Sequence, residues 1–117
     1  MNLTRGDIMA LTYVVDRTED AHHVRFSGEI DMRVAGEAVD VIAETVLDGS
    51  PKQMVIDLRQ VSLLDSTGVA ALVTAHKIAA HRGCQLVVTN PRAMVRSSHE
   101  YIWDMLRWHG RSAEGDD

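Results

Sequence analysis

The sequence predicts an α/β domain: a mixed, mostly parallel sheet of four to five strands that begins with an N-terminal hairpin and is packed with three to four helices. Three observations carry this. Short apolar runs of β type alternate with segments of helical period along the chain. The later runs, Met54-Val55-Ile56 and Leu86-Val87-Val88, are nearly continuous in apolar residues, as buried parallel strands are. Turn signals separate the pieces at Asp48-Gly49-Ser50-Pro51, at Gly83 and at Asn90-Pro91. A strand–helix–strand crossover requires parallel strands, so the order β-β-α-β-α-β-α gives one antiparallel hairpin followed by parallel strands.

Each element has a local reason. Leu11 to Val15 reads as a first strand and Asp16 to Ala21 as a polar turn. His22 to Ile30 alternates, with Val24, Phe26 and Gly28 on one side and Arg25, Ser27 and Glu29 on the other, so it is a half-buried strand paired with the first. Ala35, Ala38, Val39, Ile42 and Val46 recur at helical spacing and predict a helix over 32–47. A short apolar strand follows over 53–58. Asp65 or Ser66 then caps a helix that runs to about Arg82, with Gly83 at its C′ position. Residues 84–89 form another buried strand. Asn90 and Pro91 supply an N-cap and an N1 proline for a last helix carrying Met94, Val95, Ile102, Met105 and Leu106. Residues 1–10 and 110–117 are polar and charged, and are expected to be flexible ends around one domain at 11–109.

Composition narrows the function classes. The 117 residues are 45% hydrophobic and 25% charged, ordinary for a globular domain with its own core. Net charge is −5 and no basic run occurs, which argues against nucleic acid as a partner because phosphate neutralisation needs clustered Lys and Arg. No apolar run approaches the length of a membrane span and no signal-peptide pattern opens the chain, so a cytoplasmic protein is expected, with no membrane partner. The single cysteine, Cys84, lies in an apolar strand and reads as a buried core thiol. The six histidines show no metal spacing and read as solvated surface residues, with His22 and His23 on opposite faces of one strand. Tyr101, Trp103 and Trp108 read first as packing residues of the last helix, with a dimer or partner patch as the alternative. Neither a nucleophile elbow nor a Walker loop nor a dinucleotide fingerprint is present, so no catalytic residue, metal or cofactor is expected.

The most informative stretch is Asp65-Ser66-Thr67-Gly68, between the strand at 53–58 and the next helix. The first N–H groups of a helix are unpaired and the macrodipole adds partial positive charge there, so a phosphate on Ser66 is compatible with the fold. It would still change surface charge strongly, which suits a binding switch. From the residue types alone Ser66 reads first as a plain N-cap, the commonest role of Ser at a helix start, Thr67 is a second candidate hydroxyl, and Asp31 is either a cap for the helix at 32–47 or part of an interface. Gly68 is read as room for a partner backbone, and Asp57 as structural.

Three segments resemble the STAS domain of the anti-sigma factor antagonist (anti-anti-sigma) family. Phe26-Ser27-Gly28-Glu29-Ile30-Asp31 is similar to that family's Gly-Glu-(Leu/Ile)-Asp at the end of a strand. The stretch from Val55 through Asp65-Ser66-Thr67-Gly68 resembles its signature strand and phosphorylation motif. The stretch Gly83 to Pro91 resembles its Asn-Pro-terminated strand. The resemblance runs unbroken over about 11–95, whereas Ser97 to Trp108 departs from the usual ending. It implies a STAS fold, Ser66 as phosphoacceptor, and a recognition surface of Asp31, Asp65, Ser66, Thr67 and Gly68. It implies as partner an anti-sigma factor that is also a serine kinase of the histidine-kinase-like ATPase type. That partner is bound when Ser66 is unphosphorylated and released when it is phosphorylated, and a PP2C-type phosphatase resets the switch. The resemblance also leaves open a docking subunit of a larger signalling or transporter complex, or a ligand-sensing module.

Overall fold

The computed structural model describes residues 2–9 and 11–92. The elements are β1 (Asn2–Ile8), β2 (Leu11–Arg17), β3 (Ala21–Ile30), α1 (Ala35–Leu47), β4 (Gln53–Leu64), α2 (Ser66–His81) and β5 (Gln85–Thr89). They build one five-stranded sheet in sequential order, β1 to β5. The β1–β2 and β2–β3 ladders are antiparallel, and the β3–β4 and β4–β5 ladders are parallel. The sheet is therefore half parallel rather than mostly parallel, because the N-terminal segment adds a second antiparallel ladder. Two helices lie among the described residues. The last helix expected from the sequence, and with it Tyr101, Trp103 and Trp108, falls outside them.

The expectation of a flexible N-terminus is corrected for residues 2–8, which pair with β2 along its whole length, from Asn2↔Arg17 to Ile8↔Leu11. Arg5 and Asp7 made this segment look like a loop. They are exposed charges on an edge strand, where charge is the usual protection against further pairing. Gly6 completes the fit: a Cβ there would stand within 2.3 Å of the Tyr13 ring, so only glycine lets that ring lie across β1.

Both helices cover one face of the sheet, as right-handed crossovers in one direction require. The core on that face is built from Val24 and Phe26 of β3, Met54, Ile56 and Leu58 of β4, and Leu86 and Val88 of β5. These pack against Ala38, Ile42 and Val46 of α1 and Leu72, Ala75 and Ala79 of α2. Cys84 is buried beside them and burial pushes its thiol pKa up, so it is an inert core residue. His22 is buried rather than solvated. Its Nδ1 lies 3.0 Å from the Thr45 carbonyl, and since a carbonyl only accepts, Nδ1 carries the proton.

Two boundaries move. The strand expected over 53–58 continues to Leu64, because register shifts between Arg25 and Ser27 and between Gly28 and Glu29 break the period that marks a strand. Gly28 takes a φ of 120° at the second shift, which suits glycine and few other residues. The helix expected from residue 32 starts at Ala35, because Asp31 holds a separate turn in front of it. At its far end α2 closes as expected: Gly83, at φ 71°, is the left-handed residue past the cap.

Candidate functional site

β3 and β4 run parallel and end together, with Ile30 opposite Leu64. The chain therefore delivers Asp31 and Asp65 side by side at the carboxyl ends of two neighbouring parallel strands, the edge where open α/β sheets place their sites. The Asp65 N–H donates to the Ile30 carbonyl at 3.3 Å, which ties the two ends together.

Asp65 is the N-cap of α2. Its backbone is extended, and its Oδ1 accepts from the Gly68 N–H at 3.0 Å and from the Thr67 hydroxyl at 2.6 Å. The Thr67 hydrogen bond is the main reason that the Asp65 carboxyl titrates below the ordinary carboxylate range. The Gly68 N–H adds to this, while partial desolvation and the neighbouring Asp31 charge oppose it. The capping role left open between Asp65 and Ser66 thus belongs to Asp65. Ser66 is the first residue of the helix, exposed, and its hydroxyl makes no hydrogen bond to any described residue. Thr67 is exposed too, but its hydroxyl is committed to Asp65.

Gly68 has a role in the fold. It is buried, and a Cβ there would come within 2.6 Å of Leu64 Cδ1 and 2.8 Å of the Ile30 carbonyl oxygen. The space that the sequence reading reserved for another backbone is filled by this chain's own β3 and β4. Gly68 lets the start of α2 sit directly on the strand ends, and so sets the height at which Ser66 is presented.

Asp31 organises the other half of the site. Its Oδ1 accepts from the Arg33 N–H at 3.0 Å, and its two oxygens take the Arg33 guanidinium in a fork, with Nη2 at 2.9 Å from Oδ2. Arg33 is the main cause that holds the Asp31 carboxyl below its ordinary range. Glu29 lies 3.8 Å from the same guanidinium. Arg33 was not visible as a site residue in the sequence. The signal that could have found it is the Asp-x-Arg spacing, in which an Asx turn brings the second residue's N–H to the carboxylate. Two apolar side chains were missed as well: Met32 is 76% exposed and Leu63 is 42% exposed, and they flank Asp31 and Asp65 in the chain. Among the described residues no three His, Cys, Asp or Glu side chains gather as a metal set, and no helix is long and apolar enough to cross a membrane.

The STAS domain family model matches residues 12–102. The chain belongs to the STAS domain family. Solved structures with the same fold include the anti-sigma factor antagonist SpoIIAA in its unphosphorylated form, with TM-score 0.69, 18% identity, 82% of this chain and 84% of that one. An anti-sigma factor antagonist from Mycobacterium paratuberculosis matches with TM-score 0.68, 27% identity, 81% of this chain and 79% of that one. The Bacillus cell fate determinant SpoIIAA in its phosphorylated form matches with TM-score 0.63, 16% identity, 80% of this chain and 86% of that one. This STAS domain thus has the fold of anti-sigma factor antagonists, with the Asp65–Gly68 turn at the end of a parallel strand.

Proposed function

We propose that this STAS protein is an anti-sigma factor antagonist that works by partner switching, with Ser66 as the phosphoacceptor. It acts by binding and is not an enzyme. One observation carries the reading: of the two hydroxyls in the turn, Thr67 is held by Asp65 while Ser66 is exposed, unbonded among the described residues and relieved of capping. The partner is an anti-sigma factor that is also a serine kinase of the histidine-kinase-like type, and a PP2C-type phosphatase restores the free hydroxyl.

Charge explains release. Glu29, Asp31 and Asp65 outnumber Arg33, so the surface around Ser66 is already net acidic. A phosphate adds roughly −1.5 to −2 charges to it. A partner surface matched to the unmodified site then meets excess negative charge that it cannot desolvate. Each ~1.4 kcal/mol of that mismatch weakens binding tenfold. Met32 and Leu63 supply the apolar contact that charge alone does not.

The test is a paired capture from native lysate with Ser66→Ala and Ser66→Asp as baits. Capture of a small kinase-like protein by the alanine form alone supports the switch. Equal capture of one large complex by both forms rejects it, and moves the chain to a docking role in that complex.

A further inference from the structure

β1 is an edge of the sheet, and among the described residues nothing pairs with its outer side. Its side chains alternate. Thr4, Gly6 and Ile8 lie on the helix side, with Ile8 in the core, and Leu3, Arg5 and Asp7 lie on the face turned away from α1 and α2. Leu3, Arg5 and Asp7 are all exposed. Among the described residues no hydrogen bond or ion pair engages the Arg5 or Asp7 side chain. An edge strand in this state offers its outward backbone N–H and C=O groups to another strand.

Arg5 and Asp7 flank Gly6, and that spacing selects what can pair with the edge. A second β1 running antiparallel, with Gly6 facing Gly6, sets Arg5 of each copy opposite Asp7 of the other. A slide by two residues either way sets Arg5 against Arg5 or Asp7 against Asp7, and a parallel copy in register sets like charge beside like charge. A slide by one residue turns the helices of the two copies to opposite faces. The charges that keep β1 from general edge pairing thus leave one register in which they complement each other. A second observation falls on the same register. Leu3, 44% exposed, and Met9, 66% exposed, stand near the start and just past the end of this strand. Gly6 facing Gly6 brings Leu3 of each copy to Met9 of the other.

We propose that a second copy of this chain docks on β1, antiparallel about Gly6, in a two-fold dimer whose sheet runs through both copies. The interface is self-complementary, as two-fold symmetry requires. Opposite charges and apolar groups that face each other across strands add to the backbone ladder. An interface of one strand is small, so the dimer is weak and depends on concentration. Residues of the same face meet, so α1 and α2 of both copies stay on one side of the sheet. The axis then stands perpendicular to the sheet, and the carboxyl ends of β3 and β4 point opposite ways in the two copies. Both Ser66 turns stay outside the interface, so the dimer does not depend on the phosphorylation state of either.

Sedimentation velocity of the full chain, from micromolar to near-millimolar concentration, tests this. The unmodified protein is expected to pass from monomer to dimer. Arg5→Asp alone and Asp7→Arg alone are each expected to stay monomeric with unchanged far-UV circular dichroism, because each sets like charges opposite. Mixed together, the two variants are expected to dimerise, since every facing pair is then of opposite sign. That rescue is specific to the antiparallel register about Gly6. If a charge reversal does not fold, Arg5→Gln and Asp7→Asn take its place. Each neutral variant removes both charge pairs of the dimer and is expected to weaken association about tenfold. An unmodified chain that stays monomeric throughout overturns the proposal. So does self-association that the substitutions leave intact, which assigns the contact to another face, and so does a mixture of the two reversals that stays monomeric.

Discussion

Replacing Gly68 by alanine tests whether the start of α2 is pinned to the strand ends. Alanine gains up to about 1 kcal/mol of helix propensity over glycine. Against this, its Cβ would stand 2.6 Å from Leu64 Cδ1, 2.8 Å from the Ile30 carbonyl oxygen and 3.1 Å from Ile30 Cγ2. The leucine tip can rotate away. The carbonyl cannot, because it accepts the Asp65 N–H and its residue is held in the β3–β4 ladder. The helix start must therefore lift, at an overpacking cost of about 1–3 kcal/mol, and the lift also stretches the cap from Asp65 to the Gly68 N–H. A net loss of about 1–2 kcal/mol follows, read in thermal melts at about 4 °C per kcal/mol. Gly36 is the internal control. It also lies in a helix, and nothing stands within 4 Å of its missing Cβ, so Gly36→Ala keeps the propensity gain without the clash. Opposite signs for the two substitutions are expected. A Gly68→Ala protein as stable as the Gly36→Ala protein refutes the pinned start, and with it the account of how Ser66 is positioned.

Three further outcomes follow from the same geometry. Asp65→Ala removes the cap of α2 and frees the Thr67 hydroxyl, so urea titration gives a loss of about 1 kcal/mol, within the range of N-cap deletions. Asp65 also titrates lower in the folded protein than its ordinary value, so the unfolded chain binds more protons in acid. The stabilisation is complete above the unfolded carboxylate value of about 3.9 and is lost as pH falls through the folded value, so melting curves of native protein and Asp65→Asn converge in strong acid. Arg33→Ala changes the melting temperature little, because the Arg33–Asp31 and Arg33–Glu29 pairs are exposed. It weakens capture of the partner by the Ser66→Ala form, measured by calorimetry.

Much of the frame was legible because period and punctuation agreed. The helical spacing of Ala35 to Val46, the Asp65 cap and the left-handed Gly83 each carry their own local signal, and each element appears where that signal lies. Legibility failed where pairing overrides local pattern. Asn2–Ile8 is a strand because β2 offers it an edge, and no feature of its own sequence says so. The end of β4 is hidden by two register shifts that belong to the pairing with β3. At the site, Asp65, Ser66 and Thr67 were visible as a cap motif, but the division of labour among them depends on where the Thr67 hydroxyl points. Gly68 was visible as a required glycine, and only the packing shows that the space it leaves belongs to Ile30 and Leu64. Met32 and Leu63 escaped notice because an apolar residue reads as core until its exposure is known.

A switch of this kind is useful only if the domain survives its own modification. Ser66 occupies the first turn of α2, where the helix end is electropositive. A phosphate there gains from the helix while it is repelled by Asp65 and Asp31, so within the free domain the two effects oppose each other. The side chain is exposed and makes no hydrogen bond to any described residue, so nothing in the fold is broken by its modification. Ser66→Asp, and the phosphorylated protein itself, are therefore expected to melt within about 1 kcal/mol of the unmodified chain, the scale of single charges near a helix start. In the proposed complex the balance would be lost, because the partner would displace the solvent that screens the phosphate from the two aspartates. The comparison needs both readings on the same samples: differential scanning calorimetry for the free domain and calorimetric titration for the partner. A large loss of folding stability in the Ser66→Asp or phosphorylated protein would show that release proceeds through damage to the domain, and would remove the electrostatic account of switching.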